Sequence, residues 1–146
     1  MPGGDEIRDV QRTAWAGPGE NPWTTIAMQA IAAEAVLAPP GPDTPGMFRC
    51  AAPGYVSALY QAAGLREVAE WDVGVELVTD SPAQYWEMIS EHVSLAVAAL
   101  AQVGEPARER IAEAVIARAS TCQHDGRVRI PGLARCIAGT KQGRPD

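Results

Sequence analysis

A chain of 146 residues has the length of one ordinary domain, and once folded it can bury roughly two thirds of the surface its unfolded form exposes. Hydrophobic residues make up 47% and aromatic ones only 5%; much of the apolar share is alanine, which predicts a core of small residues between helices and disfavours a β-sandwich. Twelve Lys and Arg against eighteen Asp and Glu give a net charge of −6, and the dispersed basic residues form no stripe along a phosphate backbone, so nucleic acid is excluded as an expected partner.

No apolar run approaches the ~20 residues that span a bilayer. The start, Met1-Pro2-Gly3-Gly4-Asp5-Glu6, lacks the basic and apolar regions of a signal peptide. Both point to a cytoplasmic protein without a membrane segment. Cys50, Cys122 and Cys136 are odd in number and widely spaced, which fits reduced thiols. Cys122-Gln123-His124 offers two ligand types in one loop but no second pair, so no metal is expected.

Residues 1–14 are polar and glycine-rich and predict a loose N-terminal segment. Gly17-Pro18-Gly19-Glu20-Asn21-Pro22 is a turn cluster. Its GxG follows no apolar strand and opens no helix at the right place, which argues against a phosphate cradle. Residues 23–37 predict one helix, with Ile26, Ile31 and Val36 on a broad face and Met28 and Leu37 beside them. Prolines 39, 40, 42 and 45 end it and predict an extended connector, followed by a short extended piece over Met47–Cys50. Pro53 suits the first turn of a helix carrying Val56, Leu59, Tyr60 and Ala63 and capped by Gly64.

Residues 67–78 alternate as a strand, with Val73, Val75 and Leu77 on one face and Asp72, Gly74 and Glu76 on the other, wetter one. Ser81-Pro82 signals a helix over about 83–90, with a possible continuation to Leu100. Gly104-Glu105-Pro106 breaks it, and Ala107–Ala119 is a further helix with Ile111, Val115 and Ala119 repeating every four residues. After a turn at His124-Asp125-Gly126, residues 128–139 read as a strand with a bulge suggested at Pro131-Gly132. The tail 141–146 is expected to be disordered.

This succession resembles a large bacterial group of class I S-adenosylmethionine-dependent methyltransferases. The residues that carry it are Trp15, Asn21-Pro22-Trp23, Gly46-Met47-Phe48, Ala63-Gly64-Leu65, Asp80-Ser81-Pro82 with Tyr85-Trp86, and Asp125-Gly126 with Ile130-Pro131-Gly132. The resemblance covers roughly residues 12–140, and gives a methyltransferase-like domain over 15–140. It implies an α/β, partial Rossmann-like fold: a helical cap and the antiparallel terminal strand pair that follows five parallel strands, without the N-terminal strands that bind the cofactor. Residues 66–78 would be the sixth strand and 127–139 the seventh. Pro2-Gly3-Gly4 resembles the turn before the fifth strand, but the residues that follow are too charged for a strand buried on both faces. S-adenosylmethionine is the implied cofactor, and the glycine-rich turn and acidic residues of its site are not found in this sequence. With no fifth strand beside them, the last two strands would expose an apolar edge.

From the same resemblance, Trp23, Met28, Phe48 and Trp86 are candidate substrate-binding residues of the cap, and His92 is the one candidate general base. Core packing is the competing reading for the aromatics, and a solvated or capping position for His92. Asp72 and Glu76 share a strand face but lie about 13 Å apart along a strand, too far for one proton-transfer unit, so they read as a solvated face. The expected function is that of a methyltransferase-like protein, not catalytic alone, whose partner is a second copy or a chain carrying the missing half. The alternative is a non-enzymatic binding or dimerisation module that pairs through an exposed strand edge. A truncated reading frame is a third possibility.

Overall fold

The computed structural model describes residues 9–37 and 46–141. The proline connector, the first eight residues and the tail from residue 142 lie outside the described residues. The fold is α/β, built on an open sheet in which β1 (Asp9–Trp15) and β2 (Arg66–Thr79) flank β4 (Arg127–Thr140), with the two-residue β3 (Gln123–His124) paired to the start of β4. The helices are α1 (Pro22–Ala32), α2 (Tyr55–Ala62), α3 (Pro82–His92), α4 (Ser94–Leu100) and α5 (Glu105–Ser120).

Two units divide the described residues: 9–17, 46–74 and 133–141 in one, 18–37 and 75–132 in the other. In the first, β1 runs antiparallel to β4 in register from Asp9 opposite Thr140 to Trp15 opposite Ala134. This strand replaces the loose segment expected over residues 9–14, and it occupies the place beside the last strand that was expected to be empty. Its charge is tolerated because β1 is the outermost strand among the described residues and leaves Asp9 and Arg12 exposed; the argument from a strand buried on both faces does not apply. Val56 and Tyr60 of α2 pack on Ile137, with Val10, Cys50, Leu65 and Val68 around them. Gly64 ends α2 at φ 85°, the left-handed cap that glycine adopts without strain. Residues 47–50 form a turn, not the extended piece expected.

The second unit is the helical cluster. α5 packs on α1 and α3, and α4 packs on the same two helices. α1 begins with Pro22, whose missing amide costs nothing in a first turn. It stops at Ala32, short of the expected Leu37, and Val36 is 86% exposed. Its buried stripe is therefore Trp23, Ala27, Ala30 and Ile31, in which small residues let helices approach closely. α5 buries Ile111, Val115 and Ala119, the four-residue repeat visible in the sequence. α3 starts on a Ser81 cap, whose hydroxyl accepts from the Gln84 amide at 3.1 Å. Val93, extended at φ −90° and ψ 106°, separates α3 from α4.

β4 changes its buried side part-way along. Val128, Ile130, Gly132 and Ala134 are buried in its first half, Arg135, Ile137 and Gly139 in its second. The buried positions pass from even to odd at Ala134–Arg135. β2 is mostly exposed: Trp71, Val73 and Val75, on the more apolar side, are 42%, 37% and 36% accessible.

Candidate functional site

The residues nominated for a substrate wall lie on separate elements. Trp23 is 8% exposed and is held from three directions. Its indole N–H donates to Asn21 Oδ1 at 3.0 Å, its carbonyl accepts the Tyr85 hydroxyl, and Gly132 lies so close that a Cβ there would stand 2.8 Å from Trp23 Cδ1. Asn21 is fully buried, so its side-chain carbonyl serves the indole and gives no cap to the helix it precedes. This arrangement locks the ring into packing. Met28 is half-buried on α1 and Phe48 half-buried in the turn before α2. Trp86 is half-buried on α3 and meets a different neighbour, the Arg108 guanidinium, 5.9 Å from its ring centre.

His92 closes α3 at its C-terminal end and is exposed, not at a helix start as the sequence suggested. No hydrogen bond or ion pair orients its imidazole among the described residues, so it has no partner that would tune it as a base. Tyr85 is fully buried. Burial, and secondarily the neighbouring Cys122, pushes its phenol well above the ordinary value, which keeps it a neutral hydrogen-bond donor.

The glycine turn lies between β1, a largely exposed and polar strand that ends at Trp15, and α1, which begins at Pro22, so no apolar strand precedes it. It makes a poor anion cradle. The Asn21 amide is spent on the Pro18 carbonyl, the Thr24 amide on the Asn21 carbonyl, and Pro22 has no amide to offer. Glu20 adds a negative charge to the same turn.

The strongest polar cluster was legible only in part. Asp72 and Glu76 share a strand side and are exposed, as expected, and they also meet arginines of β4. Arg135, with its side chain 8% exposed, donates to Asp72 Oδ1 at 3.0 Å and to the Ala51 carbonyl at 2.7 Å, and lies 3.4 Å from Glu70. Glu70 in turn accepts from the Gly54 amide and the Ser57 hydroxyl at the start of α2. Arg129 pairs with Glu76 at 2.9 Å. The missing signal was the arginines of β4, whose alternate spacing matches that of the acids on β2. Two carboxylates neutralise Arg135, so it is a tie between α2 and the strands and not a clamp for an anionic ligand.

Cys122 lies against Thr121 and the Arg118 carbonyl, and no group of three His, Cys, Asp or Glu able to hold a metal occurs among the described residues. No described helix is long and apolar enough to cross a membrane. The chain matches no model of a known protein family, and no curated protein matches it.

Proposed function

We propose that the chain is a methyltransferase-like protein: the substrate cap and terminal strands of a class I S-adenosylmethionine-dependent enzyme, Rossmann-like in part and not catalytic by itself. The observation that carries this reading is the sheet. The last strand, β4, runs antiparallel to an earlier strand, β1, and has β2 on its other side, with helices between β2 and β4 in sequence. A terminal strand reversed against the preceding ones is what the resemblance implies, and β1 then takes the part of the fifth strand. Transfer of a methyl group needs the sulfonium carbon held in line with its acceptor. That holding is done at the carboxyl ends of parallel strands, and residues fitting such a site do not occur in this sequence. The cofactor half would lie outside these residues, as on a partner chain, and Met28, Trp86 and His92 of the helical unit are the residues left to meet an acceptor. Three free thiols support a cytoplasmic setting.

Calorimetric titration of the folded chain with S-adenosylmethionine and S-adenosylhomocysteine tests the reading. No saturable heat is expected from the chain alone; micromolar binding would overturn the absence of the cofactor half. Translation of the upstream DNA in all frames tests the ancestry, since a glycine-rich turn between a strand and a helix supports it.

A second reading, a non-enzymatic module that pairs through a strand edge, is favoured by one observation: among the described residues β2 is the outermost strand on its side of the sheet, with Trp71, Val73 and Val75 exposed.

A further inference from the structure

We propose that β2 pairs with β2 of a second copy of this chain, antiparallel and centred on Val73, joining two sheets edge to edge. The proposal deepens the strand-pairing reading by naming its partner and register, and it does not depend on the methyltransferase reading.

The first observation is that the edge is unguarded. β2 ends the order β1-β4-β2, and β4 is its one strand neighbour among the described residues. Natural edge strands are kept apart by short length, by lysine or proline, or by bulges that twist them away. β2 has fourteen residues and contains neither lysine nor proline. Glu67, at φ 52°, interrupts its extended form only near the start, and the carboxylates within Val68–Val78, Glu70, Asp72 and Glu76, are each drawn to an arginine of β4.

The second observation selects the occupant. The stretch Val68–Val78, VAEWDVGVELV, has nearly the same apolar pattern read in either direction. Antiparallel pairing about Val73 sets Val68 opposite Val78, Ala69 opposite Leu77, Trp71 opposite Val75, and Val73 opposite itself. A two-fold contact requires a patch that complements its own copy, and aromatic with β-branched residues is a favourable cross-strand combination. Trp71, Val73, Val75 and Val78 are each at least 36% exposed, so the apolar pairs are accessible.

Charge permits this register in a chain of net charge −6. Asp72 would face Gly74, which carries no side chain. Glu70 would face Glu76, and each arrives with its own counter-charge, Arg135 at 3.4 Å and Arg129 at 2.9 Å. The row Ala69, Trp71, Val73, Val75 and Leu77 is uncharged throughout.

Disulfide trapping of the full chain tests partner and register together. In a background where Cys50, Cys122 and Cys136 are replaced by serine, Val73→Cys lies opposite itself and is expected to give a cross-linked dimer under mild oxidation. Trp71→Cys and Val75→Cys should cross-link when mixed and not when alone. Leu59→Cys and Leu95→Cys, more exposed positions elsewhere, serve as controls and should remain thiols. Sedimentation of the unmodified chain should show its mass doubling with concentration. Val73→Lys should hold it at one chain, with unchanged far-ultraviolet circular dichroism. A single-chain mass at every concentration overturns the proposal, as does a dimer that survives Val73→Lys, or cross-linking as efficient at the control positions. Strand addition found only with an unrelated protein also overturns it. The cofactor titration reads neither mass nor cross-linking, so failure of one proposal leaves the other standing.

Discussion

Arg135 and Arg129 sit on the same strand and each pairs with carboxylates of β2, yet they differ in worth. Arg135 is nearly sealed from solvent, and its donors also serve the Ala51 carbonyl. Arg135→Met leaves that carbonyl and the Asp72 carboxylate without the donor they share and is expected to cost about 1–3 kcal/mol. Arg129 and Glu76 are 38% and 49% exposed at their side chains, so Arg129→Gln is expected to cost less than about 1 kcal/mol. Urea unfolding of the two variants checks the contrast. Tyr85 adds a pH dependence. Its phenol ionises near its ordinary value of 10.0 in the unfolded chain and above it in the folded one. Stability is therefore complete below about pH 10 and declines as pH rises further. Tyr85→Phe keeps the ring but loses the bond to the Trp23 carbonyl. It is expected to lose about 1 kcal/mol at neutral pH and to flatten the alkaline decline, measured by urea unfolding on both sides of pH 10. The residue types of the candidate wall were legible from sequence, but their neighbours were not. That Trp23 would be enclosed by Asn21, Gly132 and Tyr85 depends on residues up to 109 positions away, brought together by packing alone.

Among the elements, those fixed by local chemistry were read closely. Ser81-Pro82 starts α3, Gly64 ends α2, and the four-residue repeat sets the buried side of α5. α1 was read five residues too long because Val36 and Leu37 continue an apolar pattern after the helix has ended at Ala32. β1 was missed because its charges argue against a central strand, and nothing local says that a strand will lie at a sheet's end. Gly132 was read as a bulge residue, whereas the structure gives it a spatial reason: a side chain there would meet Trp23 at 2.8 Å and Asn21 Oδ1 at 2.9 Å. Gly132→Ala is expected to force one of these apart and cost about 1–3 kcal/mol. A lowered midpoint in urea, with a blue- or red-shifted tryptophan emission, is the measurement that checks it.

At the scale of the molecule, composition announced the alanine-lined helix contacts, and α1, with Ala27 and Ala30 in its buried stripe, has them. Strand order was not legible, since which strand lies between which is decided by pairings more than 120 residues apart, such as Asp9 with Thr140. In the proposed reading the same order underlies the expectation that the chain alone takes up no S-adenosylmethionine, because among the described residues β1 is the outermost strand on that side of the sheet. β4 carries a different consequence. Its solvent-tolerant positions switch parity, from Arg129, Pro131 and Leu133 to Cys136, Ala138 and Thr140. Sliding it by one residue would turn both halves the wrong way at once. In a saturation library, the permissive sites along this strand should fall at odd numbers before Ala134 and even ones after Arg135, and a single-residue deletion anywhere in it should be lethal to folding.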